Sequence, residues 1–146
     1  MARILVYQDS PAQRHILKKS LESRHQLFFA GSLSKTETLL KETALDLIII
    51  RVHLEKNDVF TVVKALRNNK LCSQLPIICF CGKRTKTARQ LDPVLEQATR
   101  AAGATGYLCI DTFCVDGEFK LEALRDSIEN LLELSRANKE IRSQTS

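Results

Sequence analysis

The side chains able to do chemistry in this chain are few and widely spaced. Asp9 follows a short apolar run and stands beside Gln8. Arg51 and His53 follow a second apolar run, and Asp111 follows Ile110 at the end of another. Cysteines stand at Cys72, Cys79, Cys81, Cys109 and Cys114. A basic stretch, Lys83, Arg84, Lys86 and Arg89, has no acid between its members. A lone carboxylate beside a guanidinium makes a poor magnesium site, because magnesium takes several hard oxygen ligands in octahedral geometry. An arginine is always charged and cannot accept a phosphoryl group. Cys79 and Cys81, two apart on a strand, share one face. Together with Cys109, and with His53 as a further ligand, they could form a redox or metal cluster. None has the zinc-type C-x-x-C spacing, and packing as small, soft core residues is the expectation. The basic stretch would suit an acidic partner, a phosphate or nucleic acid, or simply a solvated loop.

Other chemistries lack their residues. There is no glycine-rich nucleotide loop, no Ser-His-Asp order and no zinc-hydrolase helix. Gly103 and Gly106 are explained by a helix cap and a turn. No enzyme activity and no cofactor are expected.

The chain that must position these groups has 146 residues, enough for one domain with a sizeable core. Its hydrophobic fraction of 44% and charged fraction of 27% are ordinary for a globular protein. The net charge of +5 permits an anionic partner without requiring nucleic acid. Aromatics are only 5%, which argues against a base-stacking platform. No signal peptide is evident, and no apolar run approaches the about 20 residues needed to cross a bilayer. A soluble, cytoplasmic protein with reduced thiols is expected.

Strand-like and helix-like segments alternate. Ile4 to Tyr7 reads as a strand, and Asp9-Ser10-Pro11 as a helix start. That helix runs to about Arg24, with Ala12, Ile16, Leu17 and Leu21 near one face. Gln26 to Ala30 is the second strand. Ser34 to Thr43 is a helix, Ser34 and Glu37 matching a capping box. Leu45 to Ile50 suits a central parallel strand buried on both faces. Asp58 can cap a helix to about Asn68, with Val59, Val62, Val63 and Leu66 inward. Leu75 to Cys81 is the fourth strand. Residues 82–90 are a basic loop or frayed helix. A helix restarts at Asp92-Pro93 and ends at Gly103, and Gly106 to Ile110 is the fifth strand. A loop through Asp116-Gly117 leads to a last helix from about Glu118 to Ser135 or beyond. This alternation predicts a doubly wound α/β fold with a five-stranded parallel sheet. Its functional edge lies at the carboxyl ends of the strands. One domain is expected over residues 3–135, with a polar tail over 136–146.

At that edge a resemblance becomes specific. Ile4-Leu5-Val6-Tyr7-Gln8-Asp9, Asp46-Leu47-Ile48-Ile49-Ile50-Arg51, Leu75-Pro76-Ile77-Ile78 and Gly103-Ala104-Thr105-Gly106-Tyr107 resemble the receiver domains of bacterial two-component response regulators. The resemblance spans about Arg3 to Leu132. It implies a flavodoxin-like, CheY-like fold with strand order 2-1-3-4-5, and a role in phosphorelay signalling through protein contacts. The family's working residues carry over poorly. Its acidic pair falls on Gln8 and Asp9, its phosphorylated aspartate on Arg51 and its hydroxyl residue on Cys81. Its lysine falls on Ile110 and the following proline on Asp111. The resemblance therefore implies a pseudo-receiver whose degenerate pocket comprises Gln8, Asp9, Arg51, His53, Cys81 and Ile110. Arg51 is expected to pair with Asp9 and stand in for the metal as the local positive charge.

No output domain is expected to follow, so output is expected through a partner: a sensor kinase, another regulator or a signalling complex. Lys83, Arg84, Lys86, Arg89 and Tyr107 are candidate contacts. The resemblance also implies a homodimer through the fourth helix, fifth strand and fifth helix. The last helix could present Leu132, Leu134 and Ile141. Two rival readings are a redox or small-anion sensor using the cysteines and Arg51, and nucleic-acid binding through residues 83–89.

Overall fold

Parallel strands covered on both faces read as continuous apolar runs. Three segments do so: β1 (Arg3–Tyr7), β3 (Leu47–Arg51) and β4 (Ile77–Cys81). The flanking strands are β2 (Gln26–Ala30) and β5 (Gly106–Cys109). The computed structural model describes residues 1–8, 11–54, 58–82 and 92–145, without the side chains of 13, 92 and 138–145. The five strands form one parallel sheet in the order β2-β1-β3-β4-β5. This is the order implied by the resemblance.

Alternation along each strand divides the core into two layers. Ile48, Ile50, Ile77, Cys79 and Cys81 pack with Leu40, Val62, Val63, Leu66 and Ala102. The helices α2 (Leu33–Glu42), α3 (Val59–Asn68) and α4 (Asp92–Ala102) therefore cover that face. Leu47, Ile49, Ile78 and Phe80 pack with Leu17, Leu21, Leu124, Ile128 and Leu132. The helices α1 (Pro11–Leu21) and α5 (Leu121–Thr145) cover this second face. Among the described residues, no helix is long and apolar enough to cross a membrane.

Several local expectations hold. Asp58 caps α3 through its side chain, which accepts from the Phe60 N–H at 3.0 Å. Val59, Val62, Val63 and Leu66 are its buried residues. Gly103 follows α4 with φ at +125°, a conformation that L side chains rarely adopt. Other expectations are corrected. α2 is capped by Ser32, which accepts from the Lys35 N–H at 3.2 Å, and not by Ser34. Ala12 is exposed, so the inward stripe of α1 is Leu17 and Leu21 with the half-buried Ile16. β5 ends at Cys109, and Ile110 begins a 3-10 turn, Ile110–Phe113.

The stretch read as a loop is a small hairpin of β6 (Cys114–Val115) and β7 (Glu118–Phe119). Asp116 and Gly117 take φ of 52° and 79°, the paired positive values of a two-residue hairpin turn. α5 consequently starts at Leu121 rather than Glu118, and its helical backbone continues to Thr145.

Two polar clasps hold the amino-terminal side of the sheet. Arg67, on α3, donates to Gly103 O at 2.7 Å, Cys72 O at 2.8 Å, Leu75 O at 2.5 Å and Thr105 Oγ1 at 3.1 Å. Burial pushes its guanidinium below the ordinary arginine value. His25 Nδ1 accepts from the Ala2 N–H at 3.1 Å, and its Nε2 lies 3.1 Å from Glu129 Oε1 on α5. Arg24 reaches the same carboxylate at 3.2 Å.

Candidate functional site

Strand register decides which side chains meet at the carboxyl edge. Tyr7 lies opposite Ile50, Ile50 opposite Cys79, and Cys81 opposite Cys109. One residue further, Gln8 is fully buried, and its N–H donates to Ala30 O at 2.9 Å. Arg51 closes β3 and is half-buried. The Val52 N–H donates to Phe80 O at 3.0 Å, so pairing runs one residue past the strand end. Val52 belongs to the α2–α4 core, whereas Arg51 has the parity of Leu47 and Ile49. His53, next along, is exposed.

The thiol of Cys81 is buried and lies 2.6 Å from Tyr107 Oη. Tyr107 is half-buried against the α2–α4 core. Ile110 is buried among Phe113, Leu124 and Phe80, in the opposite layer. Gln8, Arg51, Cys81 and Tyr107 thus sit at one edge of the sheet. Asp9 and the basic stretch Lys83, Arg84, Lys86 and Arg89 lie outside the described residues, and so does the expected Arg51–Asp9 pair.

Arg14 belongs to this edge, although its sequence context does not single it out. Its Nε and Nη2 donate to Gln8 O at 2.9 and 2.5 Å. Its guanidinium carbon stands 5.8 Å from the centroid of the Phe29 ring. A cation four residues into α1 therefore anchors the chain as it leaves β1. The sequence signal was weak, since an arginine on an amphipathic helix is ordinarily solvated.

The cysteines behave as core residues. Cys72, Cys79 and Cys81 are fully buried in one apolar layer. Burial raises the Cys79 thiol to about 12, with the neighbouring Cys81 adding to the effect. Burial likewise raises Cys72 to about 11. Such thiols carry little thiolate at neutral pH and are poor nucleophiles. Cys109 is half-buried and Cys114 exposed. Among the described residues no group of three His, Cys, Asp or Glu side chains could hold a metal ion. The side chains of Arg51, Cys81 and Ile110 offer no hard oxygen donor of the kind magnesium takes.

The face expected to meet a partner is also revised. Leu132 is only 4% exposed and belongs to the core, whereas Leu134 is 62% exposed. The side chain of Ile141 lies outside those described.

No protein-family model and no curated protein sequence matches the chain. Solved structures do match it in fold. The CheY-like response regulator receiver domain protein of Methanospirillum hungatei superposes with a TM-score of 0.70 at 16% identity, covering 94% of this chain and 98% of that one. The chemotaxis response regulator CheY4 of Vibrio cholerae gives 0.66 at 23% identity, covering 89% and 98%. The signal receiver domain of a histidine kinase from Syntrophus aciditrophicus gives 0.67 at 22% identity, covering 91% of each chain. The fold is that of the CheY-like receiver domains.

Proposed function

We propose that this chain is a receiver-like domain of two-component signalling that works by protein contact and takes no phosphoryl group at the end of β3. The observation that carries the reading is Arg51, half-buried as the last residue of the central strand. A receiver would need its phosphoacceptor carboxylate there. Formation of an acyl phosphate requires a carboxylate nucleophile and a divalent ion to neutralise the phosphate oxygens. A guanidinium provides neither, and its charge would repel the magnesium ion. At the same edge Tyr107 stands beside Cys81, the residue closing β4. The partner would be a sensor kinase, another regulator or a signalling complex.

The test is intact mass after incubation with acetyl phosphate and magnesium. The expected result is an unchanged mass. A stable adduct of one phosphoryl group on any aspartate would overturn the proposal. Affinity capture from the native host, with the wild type and the Arg51→Asp variant, then identifies the partner that depends on the arginine.

One observation favours a second reading, as a redox sensor. Cys81 and Cys109 are register neighbours, and Cys109 is half-buried. Thiol titration before and after treatment with glutathione disulfide separates the two. Paired loss of these thiols favours redox sensing, and no loss favours the first reading.

A further inference from the structure

A groove between α1 and the edge strand β2 carries charge of one sign. It encloses about 300 Å³ and is lined by Pro11, Arg14, His15, Lys18 and Phe29. Among the described residues no acidic side chain lines it, and α1 itself contains Arg14, His15, Lys18 and Lys19 but no Asp or Glu. Pro11, His15 and Lys18 are exposed, while Arg14 and Phe29 are half-buried.

Its two main cations differ in kind. The Arg14 guanidinium is fixed by two hydrogen bonds to Gln8 O and lies over the Phe29 ring. Its charge is presented without the full entropic cost of ordering a long side chain. Lys18 stands four residues on along the helix, about 5–6 Å away at the Cβ level, and is exposed. Pro11, three residues before Arg14, and Phe29 supply the apolar part of the lining, together with the aliphatic stems of both cations. The groove therefore joins a fixed cation, an apolar floor and a second cation one turn away.

We propose that this groove docks an acidic protein segment, which seats one apolar side chain against Pro11 and Phe29 and turns carboxylates toward Arg14 and Lys18. Nucleic acid fits less well. A phosphate backbone is matched by cations spread along an extended track. Single-stranded bases need an open aromatic face, and here the arginine covers the ring. The groove's lining does not include Arg51, so the proposal holds whether or not Arg51 prevents phosphorylation.

The experiment uses the full chain and a fluorescein-labelled peptide carrying two glutamates on each side of a Leu-Trp pair. Fluorescence polarisation should show saturable binding that weakens with salt. Lys18→Glu places a like charge at an exposed site and should weaken binding by about tenfold without affecting the fold. A peptide with lysines in place of the glutamates should not bind. In amide NMR spectra the shifts should centre on residues 12–18 and 29. Four results would overturn the proposal: no saturable binding, indifference to Lys18→Glu, shifts centred elsewhere, or tighter binding of a single-stranded oligonucleotide of equal charge.

Discussion

Replacing Arg67 with alanine removes a guanidinium that joins α3 to the segment leaving α4 and the segment entering β4. Four hydrogen bonds disappear together, three of them to the backbone carbonyls of Gly103, Cys72 and Leu75. A hydrogen bond to a charged group contributes about 1.5–3 kcal/mol, so a simple sum would be far too large. Two effects reduce it. The guanidinium is partly desolvated, as the lowering of its pKa shows, and that penalty is relieved when it goes. Water can also reach part of the vacated, half-buried site. The expected loss is about 3 kcal/mol, in the range for breaking a buried polar network. For a chain of this size that lowers Tm by roughly 6–12 °C. It also moves the urea midpoint down by about 1.5 M if the slope is about 2 kcal/mol per molar. Arg67→Lys keeps the charge but not the fork, and should recover less than half of the loss. A second substitution isolates the packing. A Cβ on Gly103 would lie 2.5 Å from Arg67 Cγ, at a backbone φ of +125°. Gly103→Ala should therefore cost about 2–3 kcal/mol in the wild type. In the Arg67→Ala background it should cost at least 0.5 kcal/mol less, because the contact is gone and only the backbone strain remains (roughly the threshold for a real coupling). A loss below about 1 kcal/mol for Arg67→Ala, or strict additivity with Gly103→Ala, would refute this account.

Three further outcomes follow from other parts of the structure. Asp58→Ala removes the side-chain cap of α3 and should cost about 1 kcal/mol, a Tm drop of roughly 3 °C by calorimetry. With Ellman's reagent at pH 8, the native protein should expose Cys114 and Cys109 and protect Cys72, Cys79 and Cys81, all five reacting in denaturant. Stability should also fall in alkali. Cys79 titrates at about 12 when folded against 9.0 for a free thiol, so above pH 9 the unfolded chain loses this proton first. Its stabilisation is complete below pH 9 and disappears as pH rises toward 12, at about 1.4 kcal/mol per pH unit. Urea titrations from pH 8.5 to 10.5 check this. Cys79→Ala should have the shallower pH slope by that amount.

Much of the fold was legible because its signals are local and redundant. Leu47, Ile48, Ile49 and Ile50 are apolar without alternation, which only a strand covered on both faces requires. Asp58 before a valine-rich amphipathic run, and Gly103 after an alanine-rich one, mark boundaries by backbone chemistry alone. The errors lie where two local patterns compete. Ser34 and Glu37 form a good capping box, but Ser32, two residues after the end of β2, reaches the helix first. Asp116-Gly117 is a strong hairpin signal, yet its strands are two residues long, too short for any periodicity to show. The candidate site was legible in the same measure. Register follows from the strand pattern, so Gln8, Arg51 and Cys81 could be placed at one edge, whereas Tyr107, opposite Cys79, joins them only through its side-chain contact with Cys81. Arg14 and Arg67 could not be found, because each is defined by carbonyls far away in sequence or across a turn.

If Arg51 stands where a receiver's aspartate would, the difference concerns more than the loss of one reaction. Phosphorylation of a carboxylate adds negative charge to a site that had one already, and hydrolysis takes it away. An arginine holds one charge under all physiological conditions. The end of β3 then has no covalent means of changing its electrostatics. Any transition at this edge, including movement of Tyr107 from its contact with Cys81, must be driven by differential binding of a partner to two states. The contact itself is weaker than a hydroxyl pair would be, because a thiol is a poor donor and acceptor. On that premise, loss of the covalent switch and a weaker Tyr107 restraint would act in the same direction. The state of this edge would then follow partner concentration rather than kinase activity. Cys81→Ser should therefore weaken partner binding if the bound state releases Tyr107, and strengthen it if the bound state retains that contact.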